Sequence, residues 1–370
     1  MDPLAGKRSR RKKKKANAGR RAMKLFYRTL VIISAVIVTT FVVWNLTIRP
    51  PAVEAPPIPT QDAKPPVDDP DTPDIDESQT TPAVGQTLNR KDRYYTFLLA
   101  AGDQVSGNAD TIMIASYDVP NQKVSLVSIP RDTLVDRTHG KNHYYKINGA
   151  YAFGGIDELK EAVTEMLGIP IDFYVTVDLK AFVEVVDAVG GVDFYVPIDM
   201  NYDAPDQDLH IHYNQGQHTG LTGQQVLEIA RCRKNSVWYD AVNYDVYDAY
   251  AGSGTNREET QRGLMVAIAK KLLSWGSLTK INSFVDILQR NVKTNLSGTD
   301  MAYFASQAVA FKMDTGMSTA IFPGAGDVTY KGNKWCWEYD REASLEIINT
   351  MLNPYTTDVT PDMTHMVQAN

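Results

Sequence analysis

Apolar residues in the middle of the chain follow two different periods. Short runs in which they are continuous or alternate, and which are rich in β-branched residues, predict buried strands. Longer stretches in which they recur every three or four residues predict helices. Because the two patterns alternate, the sequence predicts a layered α/β domain. The predicted strands are 96–101, 110–114, 124–129, 171–177 and 192–198, and the predicted helices are 156–167 and 179–189, with others starting near Thr222 and Arg257.

Polar and glycine-containing segments separate these elements. Gly168 is predicted to close one helix and Gly190-Gly191 the next, because glycine tolerates the backbone at a helix C-terminus. Two Tyr- and Asp-rich stretches, 200–220 and 234–255, are predicted to be loops. Residues 277–350 are expected to add a helix or two, and residues 353–370 are expected to form a frayed tail. No internal repeat is evident.

The N-terminal segment has the pattern of a membrane anchor. Residues 1–24 contain eleven Lys or Arg and one Asp, whereas residues 25–48 carry a single charge, Arg28. A helix of that length reaches about 36 Å, enough to cross a hydrocarbon core of about 30 Å. The positive-inside rule places residues 1–24 in the cytoplasm and the rest of the chain outside. A basic arm on a soluble protein would instead indicate nucleic-acid binding, and the adjoining apolar segment favours the anchor.

Residues 49–90 are predicted to be an extended linker. They contain ten prolines, many Asp and Thr, and almost no large apolar residues, so they cannot form a core. The folded domain is predicted to occupy residues 91–352. Since the whole chain has a net charge of −6, residues 25–370 carry −16. An extracytoplasmic domain permits a disulfide between the two cysteines, Cys232 and Cys336, but burial of both as small hydrophobic residues is the favoured interpretation.

Charged residues lie at the ends of the predicted strands, where loops held by a sheet commonly carry chemistry. Asp103 and Asp110 are seven positions apart, in a predicted loop between two strands that also contains Gly102 and Gly107. Hard cations such as Mg²⁺ bind one or two carboxylates together with phosphate oxygens. Asp and Gly are also common turn residues, so this pair by itself favours an ordinary turn over a metal site.

A set of cationic residues could bind phosphate, because the planar arginine fork suits bidentate contacts. Each member alone is more readily explained as a surface residue or a partner in a weak surface ion pair. The spacing of Arg231 and Arg233 constrains where the helix ends, because residues two apart do not share a helix face. If both reach one site, the helix that starts near Thr222 must end by Arg231. The set comprises Arg131, Lys146, Arg231, Arg233 and Arg257.

The next helix is predicted to begin at Arg257. Asn256 is a plausible N-cap, with Glu259 at the third helical position. Arg257 then lies in the first turn, where free N–H groups and the helix dipole already favour an anion. Gln261 is four residues further on and shares its face. A pair on the helix surface without a ligand is the alternative interpretation.

These residues resemble the motifs of the LytR–CpsA–Psr family over roughly residues 94–275. The similar segments occur in family order, which makes the resemblance specific. Asn108-Ala109, Gly254 and Thr260 depart from it, since family members usually have Arg-Ser, Asp and Arg at these positions. The segments are Asp103, Asp110–Met113, Ser128–Thr133, Lys146–Tyr151, Gly190–Asp193, Gly220–Leu227, Arg231-Cys232-Arg233, and Arg257 with Gln261.

The resemblance implies a mixed central sheet with helices on both faces. It also implies a phosphotransferase anchored in the cell membrane of a bacterium, most simply a Gram-positive one, with its catalytic domain outside the cytoplasm. Its substrate would be a polyprenyl-pyrophosphate-linked glycan, such as a wall teichoic acid or capsule-type polymer, and its acceptor a peptidoglycan hydroxyl. Arg131 and Asp132 would be catalytic, and Asp103 and Asp110 would hold Mg²⁺, with Mn²⁺ as the alternative. The pyrophosphate would be bound by Arg131, Lys146, Arg231, Arg233, Arg257 and Gln261.

The chain is also expected to hold the lipid tail of the donor. The predicted helices 156–167 and 179–189 have more apolar positions than one buried face needs. This favours an apolar tunnel lined partly by their residues, with ordinary core as the alternative. Three histidines, His210, His212 and His218, lie in a predicted polar loop and are expected to be solvated, without a carboxylate-rich metal site around them.

Two other functions remain open from the sequence alone. A protein that binds lipid-linked glycan without turnover would use the same residues, and turnover of a labelled donor would separate the two. A transcriptional regulator, as some relatives are labelled, is disfavoured because the predicted span would separate the domain from DNA. The sequence has no Gly-x-Ser-x-Gly and no Gly-Lys-Ser/Thr phosphate loop.

Overall fold

The computed structural model separates residues 1–51 from a compact unit in residues 52–370, and the fold below belongs to the second. The described residues are 48–53, 88–102, 107–204, 209–239, 242–274 and 292–369. The strands are β1 (Tyr94–Gly102), β2 (Ala109–Asp118), β3 (Lys123–Ile129), β4 (Leu134–His139), β5 (Asn142–Lys146), β6 (Phe173–Asp178), β7 (Val192–Val196), β8 (Met200–Ala204), β9 (Leu209–Tyr213), β10 (Gly216–Leu221), β11 (Lys234–Tyr239), β12 (Val242–Asp248), β13 (Lys293–Thr294), β14 (Met317–Ile321), β15 (Gly324–Tyr330) and β16 (Asn333–Tyr339). The helices are α1 (Asn148–Leu167), α2 (Leu179–Ala188), α3 (Gly223–Arg231), α4 (Arg257–Ser274), α5 (Gly298–Ala308), α6 (Met313–Gly316) and α7 (Arg341–Ile347), followed by a π-helical turn (Ile348–Leu352) and a 3₁₀ turn (Pro361–Met363).

The central sheet has six strands in the order β13-β6-β1-β2-β3-β14. It is mixed, because β1 pairs antiparallel with β2 and parallel with β6, while β3 pairs antiparallel with β2 and parallel with β14. β1, β3 and β6 therefore end at the same edge of the sheet, where β2 begins. The predicted strands at 96–101, 110–114 and 124–129 are confirmed, as is the mixed character of the sheet.

Alternation along the strands divides the sheet into two faces. On the first face Leu98, Ala100 and Ile112 belong to a buried core that α1 completes with Leu159 and Val163. The π-helical turn and the C-terminal segment cover the rest of this face. On the second face the ring of Tyr95 packs edge-on against Phe304 of α5, with ring centroids 5.0 Å apart. Helices thus cover both faces, as predicted.

The second face also carries a separate group of elements, α2, α3, α4 and β7–β10, with its own apolar core. Val186 of α2, Val226 of α3 and Leu264 of α4 lie in that core, and Gly223 lets α3 approach the backbone of α2. A Cβ atom on Gly223 would lie 2.2 Å from the carbonyl oxygen of Val183, so the close approach requires glycine.

Several boundaries differ from the sequence prediction. α1 begins at Asn148, eight residues before the predicted helix start at 156, and bends at Gly155, whose φ is 69°. It ends at Gly168 as predicted, with φ 67°. The stretches 200–220 and 234–255, predicted as loops, form the hairpin β8–β9, strand β10 and the hairpin β11–β12. Aromatic and β-branched residues in these stretches favour strands despite the many polar neighbours. The polar composition therefore did not distinguish a strand from a loop.

The C-terminal segment is packed, so the prediction of a frayed tail is wrong. Tyr355, Val359 and Met366 are almost completely buried against the first-face core. Gly168 cannot carry a side chain because its Cβ would lie 2.5 Å from the carbonyl oxygen of Met363. The segment also pairs with the start of the domain through the bridge between Arg90 and Tyr355.

The predicted transmembrane segment, residues 25–48, lies outside the described residues except for Ile48, and so does most of the predicted linker. Among the helices that the structure does describe, none combines the length and the apolar character needed to span a bilayer.

Candidate active site

Asp110 and Arg131 meet at the edge of the sheet where β2 begins and β3 ends. The antiparallel register pairs Ile112 with Ile129, and two residues further out it brings these side chains opposite each other. Arg131 Nη1 donates to Asp110 Oδ1. Both side chains are partly exposed, so the pair faces an accessible cleft rather than the core.

The turn that follows Pro130 is fixed by its backbone hydrogen bonds. Thr133 N donates to the carbonyl of Pro130, at 3.0 Å, and Asn148 N donates to that of Arg131, at 3.1 Å. Trp337 N donates to the carbonyl of Asp132 at 2.8 Å. Three different segments therefore position Arg131 and Asp132 before any ligand binds, as preorganised donors require.

Asp132 links two of the predicted cations. Its Oδ2 atom lies 3.5 Å from Arg131 Nε, and its Oδ1 atom lies 3.2 Å from Lys146 Nζ. Lys146 is the last residue of β5, immediately before α1. Arg131, Asp132 and Lys146 thus form one row of alternating charge beside Asp110.

The end of α3 delivers Arg231 and Arg233 to the same place. The helix starts with a capping box between Thr222 and Gln225 and ends at Arg231. Cys232 then has an extended ψ of 120°, which redirects the chain. Arg231 and Arg233 both line one cavity, so the predicted end of this helix by Arg231 is confirmed.

The start of α4 brings Arg257 and Gln261. Glu259 N donates to Asn256 Oδ1 at 2.8 Å, which confirms the predicted N-cap. Arg257 is the first residue of the helix, and Gln261 Nε2 donates to the carbonyl of Ala230 at 3.1 Å, tying α4 to the end of α3. Both side chains line the cavity, so their predicted common face is confirmed.

This cavity has a volume of about 580 Å³ and lies between the second face of the sheet and the helices α2, α3 and α4. Its polar end contains Asp110 and the residues from α3 and α4 just described. The remaining wall is almost entirely apolar. Among the apolar lining residues are Leu99, Val177, Phe182, Val185, Met265 and Ile268.

The cavity decides between the two interpretations of the apolar helices. Most of residues 179–189 form α2, whose Leu179, Phe182 and Val185 line the wall, so the prediction that this helix borders an apolar cavity is confirmed. Residues 156–167 belong to α1, on the opposite face of the sheet, and Leu159, Val163 and Leu167 are ordinary core. That part of the prediction is wrong, because apolar content does not reveal which face a helix covers.

The arginines of the candidate site lie close enough together to repel one another. Desolvation lowers the pKa of Arg233, and the positive charges of Arg257 and Arg131 lower it further. Arg257 has a carboxylate neighbour, Glu258, at 3.4 Å. Three guanidinium groups that repel one another favour an anion between them, and a diphosphate presents the oxygens that arginine forks bind best.

Sequence reasoning missed one buried cation next to the site. Arg262 follows Gln261 on α4, is buried, and donates from Nη1 to Ser128 Oγ at 3.4 Å. Its Nε atom has no hydrogen-bond partner among the described residues. Burial lowers the pKa of Arg262. Its sequence position beside Gln261 was the available signal. Thr260, one of the departures from the family motif, is buried and accepts from Tyr250 Oη at 3.2 Å.

Two further predictions have different outcomes. Asp103 lies outside the described residues, so only Asp110 of the predicted metal pair can be placed. Cys232 and Cys336 are both free and buried, which agrees with the interpretation of both as small hydrophobic residues. Burial raises the pKa of the Cys232 thiol to about 11, so it stays protonated beside the arginines.

Comparison with known proteins agrees with this arrangement. The model of the LytR_cpsA_psr family matches residues 70–353. The chain belongs to the LytR–CpsA–Psr family. It is 34% identical over 229 residues to the polyisoprenyl-teichoic acid–peptidoglycan teichoic acid transferase TagU of Bacillus anthracis, a match that covers 61% of this chain and 68% of that one.

Other members of the family are comparably similar. The chain is 31% identical over 265 residues to the enzyme of the same description, TagV, from Bacillus subtilis, covering 69% of this chain and 61% of the relative. The crystal structure of B. subtilis TagV superposes with a TM-score of 0.56 at 25% identity, covering 71% of this chain and 98% of that structure. The α/β fold with a mixed central sheet is therefore the fold of the family.

Proposed function

We propose that this chain is a phosphotransferase that moves a phospho-glycan from a polyprenyl-pyrophosphate carrier to a hydroxyl of peptidoglycan. One observation carries the proposal, namely a cavity whose polar end holds Arg231, Arg233, Arg257 and Gln261 and whose remaining wall is almost entirely apolar. A lipid-linked diphosphate has the same division between an anionic head and an apolar tail. The volume of about 580 Å³ lies within the range of about 300 to 1,000 Å³ usual for ligand sites.

The names of the relatives support the same class of reaction. TagU and TagV are described as polyisoprenyl-teichoic acid–peptidoglycan teichoic acid transferases. Wall teichoic acid is therefore the favoured glycan for this chain, with a capsule-type polymer as the alternative.

The transfer needs positioning and charge neutralisation more than covalent catalysis. The acceptor hydroxyl oxygen attacks the glycan-side phosphorus, the bond from that phosphorus to the bridging oxygen breaks, and polyprenyl phosphate leaves. Arg131, Arg233 and Arg257 would stabilise the charge that develops on the phosphoryl oxygens. Asp132, held between Arg131 and Lys146, would orient the acceptor or take its proton.

A magnesium ion fits the carboxylate at the head of the cavity. Asp110 lines the cavity and uses Oδ1 for Arg131, which leaves Oδ2 for a second ligand. Hard oxygen donors suit Mg²⁺, which usually takes one or two carboxylates and completes its shell with water and phosphate oxygens. Together with Asp103 it would hold Mg²⁺, or Mn²⁺, which would supply charge neutralisation at the diphosphate.

We further propose that residues 25–48 anchor the chain with its N-terminus in the cytoplasm. The site would then lie outside the cell, at the leaflet that presents the donor. The support is the charge asymmetry between residues 1–24 and the apolar segment. A reporter that is active only in the cytoplasm, fused after Asn370, should be silent, and an active fusion would reject this topology.

The decisive experiment is transfer by the full-length chain in detergent. A polyprenyl-pyrophosphate glycan labelled on the sugar is incubated with peptidoglycan and Mg²⁺, and label in the wall fraction is compared with polyprenyl phosphate released. We expect equal amounts of both, loss of transfer on chelation, and recovery on return of Mg²⁺. Donor binding without either product would favour a non-catalytic binder, and absence of binding would reject the proposal.

Arg233→Ala provides the matched variant, with Arg93→Ala as its control. Arg93 lies at the opposite end of β1 from the site and pairs with the exposed Asp92. The first substitution should lower transfer by about 10²-fold, the usual effect of removing one preorganised donor, and the second should leave it unchanged.

A further inference from the structure

The hairpin β8–β9 brings together three side chains that can ligate a metal ion. They are one carboxylate and two imidazoles, in contrast to the arginines of the candidate active site. Asp203 lies directly opposite His210 in the antiparallel register, and His212 lies one pair further along the same face. The Asp203 oxygen and one ring nitrogen of each histidine all lie within 4.8 Å of one another. The sequence predicts solvated histidines without a carboxylate-rich metal site around them. One carboxylate, that of Asp203, nevertheless reaches His210 and His212 across the hairpin rather than along the sequence.

The strand itself preorganises the two histidines. Residues at i and i+2 of a strand point to the same side, and Ile211 between them is completely buried in the apolar core of this part of the domain. The imidazoles are consequently held outward, with about half of each side chain exposed, at 54% and 53%. A ligand can reach them from solvent without any change in the hairpin.

Asp203 contrasts with its neighbours because only 8% of its side chain is exposed. Burying a carboxylate is costly unless its oxygens are satisfied by donors or by a cation. Here the histidine nitrogens face it, His210 through Nδ1 and His212 through Nε2, the latter at 3.1 Å from Oδ2. A tetrahedral ion with bonds of about 2.0 to 2.1 Å separates its ligand atoms by roughly 3.3 Å. The His212–Asp203 separation is close to that value, whereas His210 Nδ1 is in direct contact with the carboxylate and would move outward to admit an ion.

The surroundings of His212 give a second, independent reason to place a cation here. Its Nδ1 atom lies 2.6 Å from Asn201 Oδ1, while its Nε2 atom faces the Asp203 carboxylate. A neutral imidazole carries only one N–H. In the tautomer that donates this hydrogen to Asn201, the lone pair of Nε2 lies on the Asp203 side, where it can coordinate a cation together with the carboxylate. An outer hydrogen bond of this kind is also what orients a metal-ligating histidine.

We propose that Asp203, His210 and His212 form a binding site for a divalent transition-metal ion of the Zn²⁺ class. Two imidazoles and one carboxylate match the ligands that this class prefers and leave a fourth position for water. The site is distinct from the proposed Mg²⁺ position, which has oxygen donors alone. Its place in the fold suggests its effect, because Tyr202 and Leu209 of the same hairpin line the apolar cavity. A bound ion clamps the two strands and stiffens that wall.

The test is metal binding by the full-length chain, carrying a tag without histidine, dialysed against a chelator and studied at about pH 7.5, above the ordinary histidine pKa of about 6.5. Titration with Zn²⁺ should give one site per chain, and Co²⁺ should give the visible d–d bands of a low-symmetry complex. Mg²⁺ should not compete. Zn²⁺ at about 100 times its Kd should raise the Tm by about 5 °C.

The variants separate this site from incidental binding. His210→Ala and His212→Ala should each weaken Zn²⁺ binding at least about tenfold, since each removes one of three ligands. His218→Ala is the matched control, because His218 is an exposed histidine nearby whose Nε2 contacts the carbonyl of Asn214. Circular dichroism checks that the variants fold, and Asp203→Asn tests the carboxylate. Absence of a Zn²⁺ site in the unaltered chain, or equal loss in the His218 control, would overturn the proposal.

Discussion

The guanidinium of Arg131 forms an ion pair with the carboxylate of Asp110 across the antiparallel pair of strands β2 and β3. The two residues are 21 positions apart in the sequence, and the sheet register places them opposite each other. This pair closes one side of the cleft into which Arg257 and Gln261 also project. Any substitution of Arg131 therefore changes both a proposed phosphate-binding group and the neighbour of a proposed metal ligand.

Arg131→Lys should lower glycan transfer by about 10²-fold or more while leaving the Tm nearly unchanged. The substitution keeps the charge but removes the planar fork that contacts Asp110 and a phosphate together. Transfer and melting temperature are measured on the same variant with Mg²⁺ present, and Arg93→Lys, an exposed arginine paired with Asp92, is the control. Near-normal transfer, or a large fall in Tm, would show that Arg131 is structural.

Val185→Trp should reduce transfer from donors with long prenyl chains more than transfer from short-chain donors. Val185 lies on the cavity wall, and an indole there shortens the space for an apolar tail without touching the arginines. Initial rates are compared for a series of donors that differ only in chain length. Val309→Trp, at a residue that is 67% exposed, is the control. Equal loss at all chain lengths would mean that the tail does not enter this cavity.

The stability of the domain should fall in acid through Glu158, a buried residue of α1 that contacts the hairpin β4–β5. Burial by itself would raise the pKa of this carboxyl, but hydrogen bonds from Tyr144 and His139 and the charge of Arg137 outweigh it, and the pKa is lowered from 4.5. A lowered pKa in the folded state contributes stability that is complete above the unfolded value and is lost as the pH falls through the folded value.

Denaturant melts of the unaltered chain and of Glu158→Gln, recorded between about pH 3 and 7, test this expectation. The variant should be less stable near neutral pH, and its stability should depend less on pH below about 4.5. Parallel curves for the two proteins would show that Glu158 does not contribute to acid unfolding.

Asp172→Asn should destabilise the domain by about 3 to 5 kcal/mol, because it leaves a buried arginine without its counter-charge. Arg90 donates to both oxygens of Asp172, at 2.8 and 2.7 Å, and the two side chains are only 9% and 4% exposed. Replacing both residues, as in Arg90→Met with Asp172→Leu, should recover part of the loss, since an apolar pair avoids the desolvation penalty. A melting temperature within a degree or two of the original for Asp172→Asn would contradict the assignment.

The periodicity of apolar residues by itself determined much of the fold. Strands β1, β2 and β3 and helix α2 follow directly from runs of apolar residues, because burial on one or both sides of an element leaves that pattern in the sequence. The N-cap at Asn256 was likewise predictable, since capping depends on a few local residues. The end of α3 by Arg231 followed from requiring Arg231 and Arg233 to reach one site, because residues two apart do not share a helix face. The cationic residues were identified together through the family motifs rather than through spacing alone.

Tertiary structure alone decided which faces those elements present. Helices α1 and α2 have similar apolar content, yet only α2 lines the cavity, because the strand order places α1 on the other side of the sheet. The pairing of Asp203 with His210 and His212 depends on a hairpin register that its polar sequence concealed. The buried C-terminal segment and the place of Arg262 beneath Ser128 likewise depend on packing between distant residues. The local pattern of apolar residues specifies a helix or strand and the side of it that is buried. Which other element packs against that side depends on the fold of the whole chain.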